Sequence, residues 1–168
     1  MFALLAALML APCLFGAGKW PRVGEQVQNF GFSGLDGKQH QLSEFDGHYV
    51  LMEFWATWCE PCVREVPVLK RARELYQKRG LEILGLDNDR TLETVQEFVA
   101  KNQIPWVQAE PESTEIVMKN ELTIAWYPTI ILLDPQRKIL LVSGNGKTPL
   151  SPDKLLKALD QLLPSGTP

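Results

Sequence analysis

Cys59 and Cys62 stand three positions apart in the stretch Trp58-Cys-Glu-Pro-Cys62, where a strand-like apolar run gives way to a helical pattern. That spacing lets two sulfurs close a disulfide within one helical turn. At a helix start the free backbone N–H groups and the helix dipole favour a thiolate. Cys59 lies nearer the start and the surface, so it is the expected attacking sulfur. Cys62, one turn further in, is the expected resolving sulfur. Glu60 stands between them with Pro61. Its negative charge opposes the dipole and holds the thiolate pKa up. A less stabilised thiolate makes a more reducing couple, so the pair is expected to donate electrons.

The same spacing also occurs in zinc sites, but a tetrahedral site needs four ligands, usually from two such pairs. Beyond Cys13 in the N-terminal apolar segment, the chain has one pair and two histidines, His40 and His48. Both histidines precede the pair, in expected turns or strand ends, and read as surface residues. No metal site is expected.

The elements around the pair must place it. The run Tyr49-Val-Leu-Met-Glu-Phe-Trp55 is mostly apolar without alternation, which suits a strand covered on both faces. Glu53 is its one ionisable residue. From Cys59 to Arg79 apolar residues recur at three- to four-residue steps, with Pro67 expected to kink the helix and Gly80 to end it. Residues 81–86 read as a second central strand and 92–101 as an amphipathic helix. A short strand at 104–108 follows, then a short helix capped by Ser113 or Thr114. Two hairpins flank this unit. One joins residues 23–32 to 38–42 across Gly34-Leu-Asp-Gly37; the other joins 129–133 to 138–142 across Asp134-Pro-Gln-Arg137. Ser151-Pro152-Asp153 reads as a helix start, with Leu155, Leu156, Leu159, Leu162 and Leu163 as its buried stripe. Residues 164–168 read as a disordered tail. This order of elements indicates an α/β fold with mixed strand directions.

The 168 residues carry 17 basic and 20 acidic side chains, a net charge of −3 that gives no basis for nucleic-acid binding. Lys70, Arg71, Arg73, Lys78 and Arg79 read as the solvated face of a helix. Residues 1–18 hold no charged side chain, and the apolar run 2–15 is shorter than the about 20 residues needed to span a bilayer. With Gly16-Ala-Gly18 behind it, this segment reads as an export signal cleaved after Gly18, or as a retained N-terminal anchor. Pro12 fits a lipoprotein processing site at Cys13 poorly. One close cysteine pair in an exported chain points to a redox couple, not to a disulfide scaffold.

Phe54-Trp-Ala-Thr-Trp-Cys-Glu-Pro-Cys62, with Pro67 five residues on, resembles the thioredoxin superfamily, and more narrowly its exported TlpA/ResA-type thiol–disulfide oxidoreductases. Arg64-Glu-Val-Pro67 resembles their acid and proline after the pair. Tyr127-Pro128-Thr129 resembles the family's cis-proline loop. The resemblance spans residues 22–163. It implies a thioredoxin-like domain with a central mixed sheet flanked by helices, an N-terminal β-hairpin extension and an inserted strand–helix segment.

The resemblance also implies roles. Glu53 falls at the buried acid that accepts the Cys62 proton, and Glu65 at an acid that tunes the pair. Pro128 would be cis, leaving the Tyr127 backbone free to pair with an extended substrate, while Trp58 forms part of the apolar docking surface. Trp55 reads as core; Trp106 and Trp126 read as core or rim. The implied activity is reduction of protein disulfides outside the cytoplasm, with no cofactor beyond the Cys59–Cys62 disulfide. The implied partners are a client such as a haem-free cytochrome c with an oxidised C-x-x-C-H, and a membrane electron donor. Peroxiredoxins share the fold, but their Pro-x-x-x-Thr-x-x-Cys pattern is absent. A non-enzymatic assembly module would leave the pair and both acids without a purpose.

Overall fold

The computed structural model describes residues 20–143 and 150–165. The export segment expected at 1–18 and the last three residues of the tail lie outside them. Five strands build the central sheet: β3 (Tyr49–Trp55), β4 (Leu81–Asp87), β5 (Val107–Ala109), β6 (Thr129–Leu133) and β7 (Ile139–Val142). Their order is β5-β4-β3-β6-β7. β3, β4 and β5 run parallel, and β6 and β7 are antiparallel to their neighbours. β3 is therefore the middle strand, which explains its mostly apolar run.

The odd residues of β3 face one layer, where Leu51 and Trp55 pack with Val66 and Leu69 of α1 (Glu60–Tyr76), Val95 of α2 (Leu92–Lys101), and Leu155 and Leu159 of α4 (Pro152–Leu162). The even residues Val50, Met52 and Phe54 face a second layer. It is made by Val117 of α3 (Pro111–Asn120) and by Phe30, Phe32 and Leu42 around the hairpin β1 (Gly31–Ser33) and β2 (Gln39–Gln41). β5 and α3 form the inserted strand–helix segment. The hairpin is shorter than expected because its N-terminal arm leaves β2 and joins the sheet edge instead: Gly24 and Val27 N–H donate to carbonyls of Ile139 and Arg137. At the other edge, Glu110 N–H donates to Ser33. The extension thus covers both edges of the sheet, which would otherwise offer open pairing groups.

Several local expectations change. α1 continues past Pro67 to Tyr76, and Gly80, with a left-handed φ of 83°, ends the turn that follows, where the stop was expected. α3 starts at Pro111 with Glu110 as its cap, not at Ser113 or Thr114. Ser113 Oγ instead accepts from Ser33 N–H at 2.9 Å, and Thr114 is buried. On α4, Leu155, Leu159 and Leu163 are buried but Leu162 is exposed. Arg79 does not lie on a solvated face. Its guanidinium donates to Asp160 Oδ1 at 2.8 Å and to the carbonyls of Leu163 and Pro164, tying the end of α1 to the end of α4. His40 is not a free surface residue either. Its ring stacks on Phe32, and its nitrogens bond Glu44 at 3.0 Å and Asp36 at 3.1 Å.

Candidate active site

The parallel strands β3 and β4 end side by side, Trp55 level with Asp87, and the loop after β3 delivers the cysteines to the first turn of α1. Cys59 caps that helix, and Pro61 sits in its first turn, where no helical hydrogen bond is lost. Cys59 and Cys62 are disulfide-bonded, with Cα atoms 5.2 Å apart. Cys62 N–H donates to Cys59 Sγ at 3.3 Å. Cys62 is fully buried, whereas Cys59 keeps 5% exposure. Both residues are buried, and the one expected to attack, Cys59, is the less completely enclosed.

The loop is held from behind. Asp89 accepts from Thr57 N–H at 3.0 Å and from Thr57 Oγ1 at 2.8 Å, while Asp87 Oδ1 accepts from Asp89 N–H at 2.9 Å. In front, the Tyr127–Pro128 peptide is cis. Tyr127 meets Trp58 edge to face at 5.6 Å, which brings the proline loop beside the cysteine loop. Trp58 and Trp126 are 60% and 56% exposed, so both fall on the rim, while Trp55 and Trp106 are core. An open groove of about 940 Å³ borders Trp58, lined also by Asn88, Arg90, Glu112 and Glu115.

Besides Asp89, three acids are buried at α1 and the strands beneath it. Glu53, on the middle strand, is 1% exposed, and Oε1 has no hydrogen-bond partner. Burial first, then the charges of Glu65 and Asp87, push its carboxyl well above the usual range. Glu65 follows Cys62 by one turn on the buried face of α1, and burial pushes it up to about 7. Burial also pushes Asp87 up to about 8. Glu60 points outward and pairs with Arg64 one turn on, so part of its field at Cys59 is offset.

Of the residues singled out from the sequence, Trp58, Tyr127 and Pro128 lie together beside the cysteine loop and Glu53 and Glu65 are buried; Asp87, Asp89 and Gln108 were not singled out. Asp87 had a usable signal. β3 and β4 both begin just after a glycine turn and run seven residues, so equal strand lengths set Asp87 opposite Trp55. Gln108 had none, because its placement depends on a gap in a neighbouring strand.

A thioredoxin-type sheet with a disulfide capping the first helix, a cis-proline loop beside it and a buried acid beneath it defines a thiol–disulfide oxidoreductase. Residues 23–142 match the AhpC/TSA family, and the chain belongs to that family. It is 31% identical over 119 residues to the thiol-disulfide oxidoreductase ResA of Bacillus cereus, covering 71% of this chain and 68% of that one. To the ResA of Halalkalibacterium halodurans it is 31% identical over 127 residues, covering 76% and 71%. Among solved structures, the thioredoxin domain of a thiol-disulfide oxidoreductase from Bacteroides vulgatus superposes with a TM-score of 0.74 at 25% identity, covering 86% of this chain and 99% of that one. A thiol:disulfide interchange protein from Bacteroides sp. gives 0.73 at 26% identity, covering 84% and 90%. These relatives are named for dithiol exchange, the chemistry a bonded cysteine pair can perform.

Proposed function

We propose that this enzyme reduces disulfides in client proteins outside the cytoplasm. The observation that carries the reading is the inequality of the two cysteines: Cys59 caps the helix and keeps slight exposure, and Cys62 is fully buried in its first turn. Cys59 thiolate attacks one client sulfur, forming a mixed disulfide, and the other client sulfur leaves as a thiolate and is protonated. Cys62 then passes its thiol proton to Glu53, and its sulfur attacks Cys59 Sγ. The Cys59–Cys62 bond forms, and the second client thiolate departs. Two electrons have moved to the client, and a membrane dithiol donor returns them with two protons.

Burial raises the Glu53 pKa well above the usual carboxylate range, which makes its carboxylate a stronger base for the Cys62 proton. Glu65, one turn beyond Cys62 with its pKa raised to about 7, is partly ionised at neutral pH and disfavours the Cys62 thiolate, as Glu60 does at Cys59 through a field that Arg64 partly offsets. Disfavoured thiolates mean a low potential, which supports the reductive direction. Trp58, Tyr127 and Pro128 receive the client chain. The apolar segment 2–15 supports export, and the likeness to ResA-type sequences supports a haem-free cytochrome c as the client. Electrons pass only through the cysteine couple in this scheme, with no further cofactor.

Trapping with Cys62→Ser tests it. The variant should accumulate a Cys59 mixed disulfide with an exported C-x-x-C-H protein, identified by mass spectrometry. Equal trapping by Cys59→Ser would overturn the assignment of the attacking sulfur.

A further inference from the structure

Gly85 lies between two side chains that each hold one buried polar atom without a partner. In the sheet register it faces Glu53 of β3 on one side and Gln108 of β5 on the other. A Cβ at Gly85 would stand 1.9 Å from Gln108 Oε1 and 2.5 Å from Gln108 Nε2, so the carboxamide fills the space a side chain would take. Only glycine permits this approach. Trp55 Nε1–H donates to Gln108 Oε1 at 3.0 Å, which fixes which end of the amide is which. The Nε2 hydrogens are left as donors in the sheet interior, 3% exposed, with no acceptor. Glu53 Oε1, on the far side of Gly85, is buried with no donor.

We infer that Gln108 is a positioning residue for Glu53: reaching across β4 through the Gly85 gap, its amide donates to the Glu53 carboxylate when that group is ionised. A buried donor beside a buried acceptor is left unpaired only at a large desolvation cost, and a hydrogen bond to the charged form favours that form. The amide therefore offsets the burial and the negative charges of Glu65 on α1 and Asp87 on β4, which all oppose ionisation. Cys62 on α1 belongs to the same layer and titrates only in the reduced enzyme, and the β6 partner of Glu53, Ile130, carries no charge. Glu53 needs its ionised form to take the Cys62 proton; the catalytic weight of Gln108 rests on that assignment.

Nuclear magnetic resonance of the disulfide form tests the contact without any thiol titrating. In the wild type, the Gln108 side-chain NH₂ signals should move with pH at the midpoint of the Glu53 carboxyl. That dependence should vanish in Glu53→Gln and persist in Asp87→Asn. In folded Gln108→Leu the Glu53 midpoint should rise by about one pH unit, a tenfold loss of ionisation. Amide signals that stay flat through the Glu53 titration overturn the inference whatever Glu53→Gln does to turnover, as does a dependence that follows Asp87. A titrating amide with undiminished Glu53→Gln turnover supports the contact and overturns the role of Glu53 as base.

Discussion

At the scale of single residues, the site is a set of acids kept where acids are costly. Asp87 and Glu65 have pKa values raised by burial from about 4 to about 8 and about 7. At these two sites the folded chain holds protons that the unfolded chain has lost between about pH 4 and 8, so their contribution to stability falls as pH rises through that window. Each pKa unit corresponds to about 1.4 kcal/mol, so Asp87 alone withdraws stability on the order of a few kcal/mol by pH 8. Asp87→Asn keeps an oxygen for the Asp89 N–H and removes the charge. It should match the wild type near pH 4 and exceed it by about 2 kcal/mol or more at pH 8 in urea unfolding. An unchanged pH slope would show that Asp87 is not the group responsible. Glu53 was legible in the sequence because one charge inside an apolar strand has few explanations. Asp87 and Gln108 were not, since their meaning comes from cross-strand register, which a single chain does not display.

At the scale of elements, β3, α2 and β6 were legible to the residue, because continuous apolar runs and helical stripes report burial directly. The hairpin was read too long, since the pairing of its first arm with β7 rests on backbone bonds that leave no side-chain pattern. What locks the hairpin is His40. Burial pulls its pKa down, but hydrogen bonds to Glu44 and Asp36 and their charges outweigh this, and the net shift is upward. The bond to His40 pulls the pKa of each carboxyl down in turn. The His40 contribution is complete below the unfolded value near ~6.5 and fades as pH rises through the folded pKa. The carboxylate contributions fade at the acid end, as pH falls through their own lowered pKa values. Hydrogen-exchange protection of Gly31–Ser33 and Gln39–Gln41 should therefore peak in mildly acidic solution. In His40→Asn that peak should disappear, while the central strands keep their protection.

At the scale of the whole molecule, the topology makes one end of the sheet different from the other. β3 and β4 point their carboxyl ends the same way, and the loops beyond them carry the cysteines, Asp89 and Asn88. The antiparallel β6 enters from that same end, which sets the Tyr127–Pro128 loop beside them. Two of the six large apolar side chains exposed among the described residues, Trp58 and Trp126, belong to these loops. A protein client covering them would bury roughly 150–250 Å² per ring, whereas a small disulfide would reach only Cys59. Trp126 has no hydrogen bond to the cysteine loop and caps no element of the core; its carbonyl, not its ring, accepts from Thr129 Oγ1. Trp126→Ala should therefore act on association. The KM for a disulfide-bonded C-x-x-C-H polypeptide should rise about fivefold, with a smaller change in kcat, on the scale of one truncated rim aromatic at about 1 kcal/mol. Reduction of a small aromatic disulfide should respond less than the polypeptide does. If both substrates weaken equally through kcat, Trp126 shapes the reacting geometry, and the client surface must be sought along the Trp58 groove between Arg90 and Glu115.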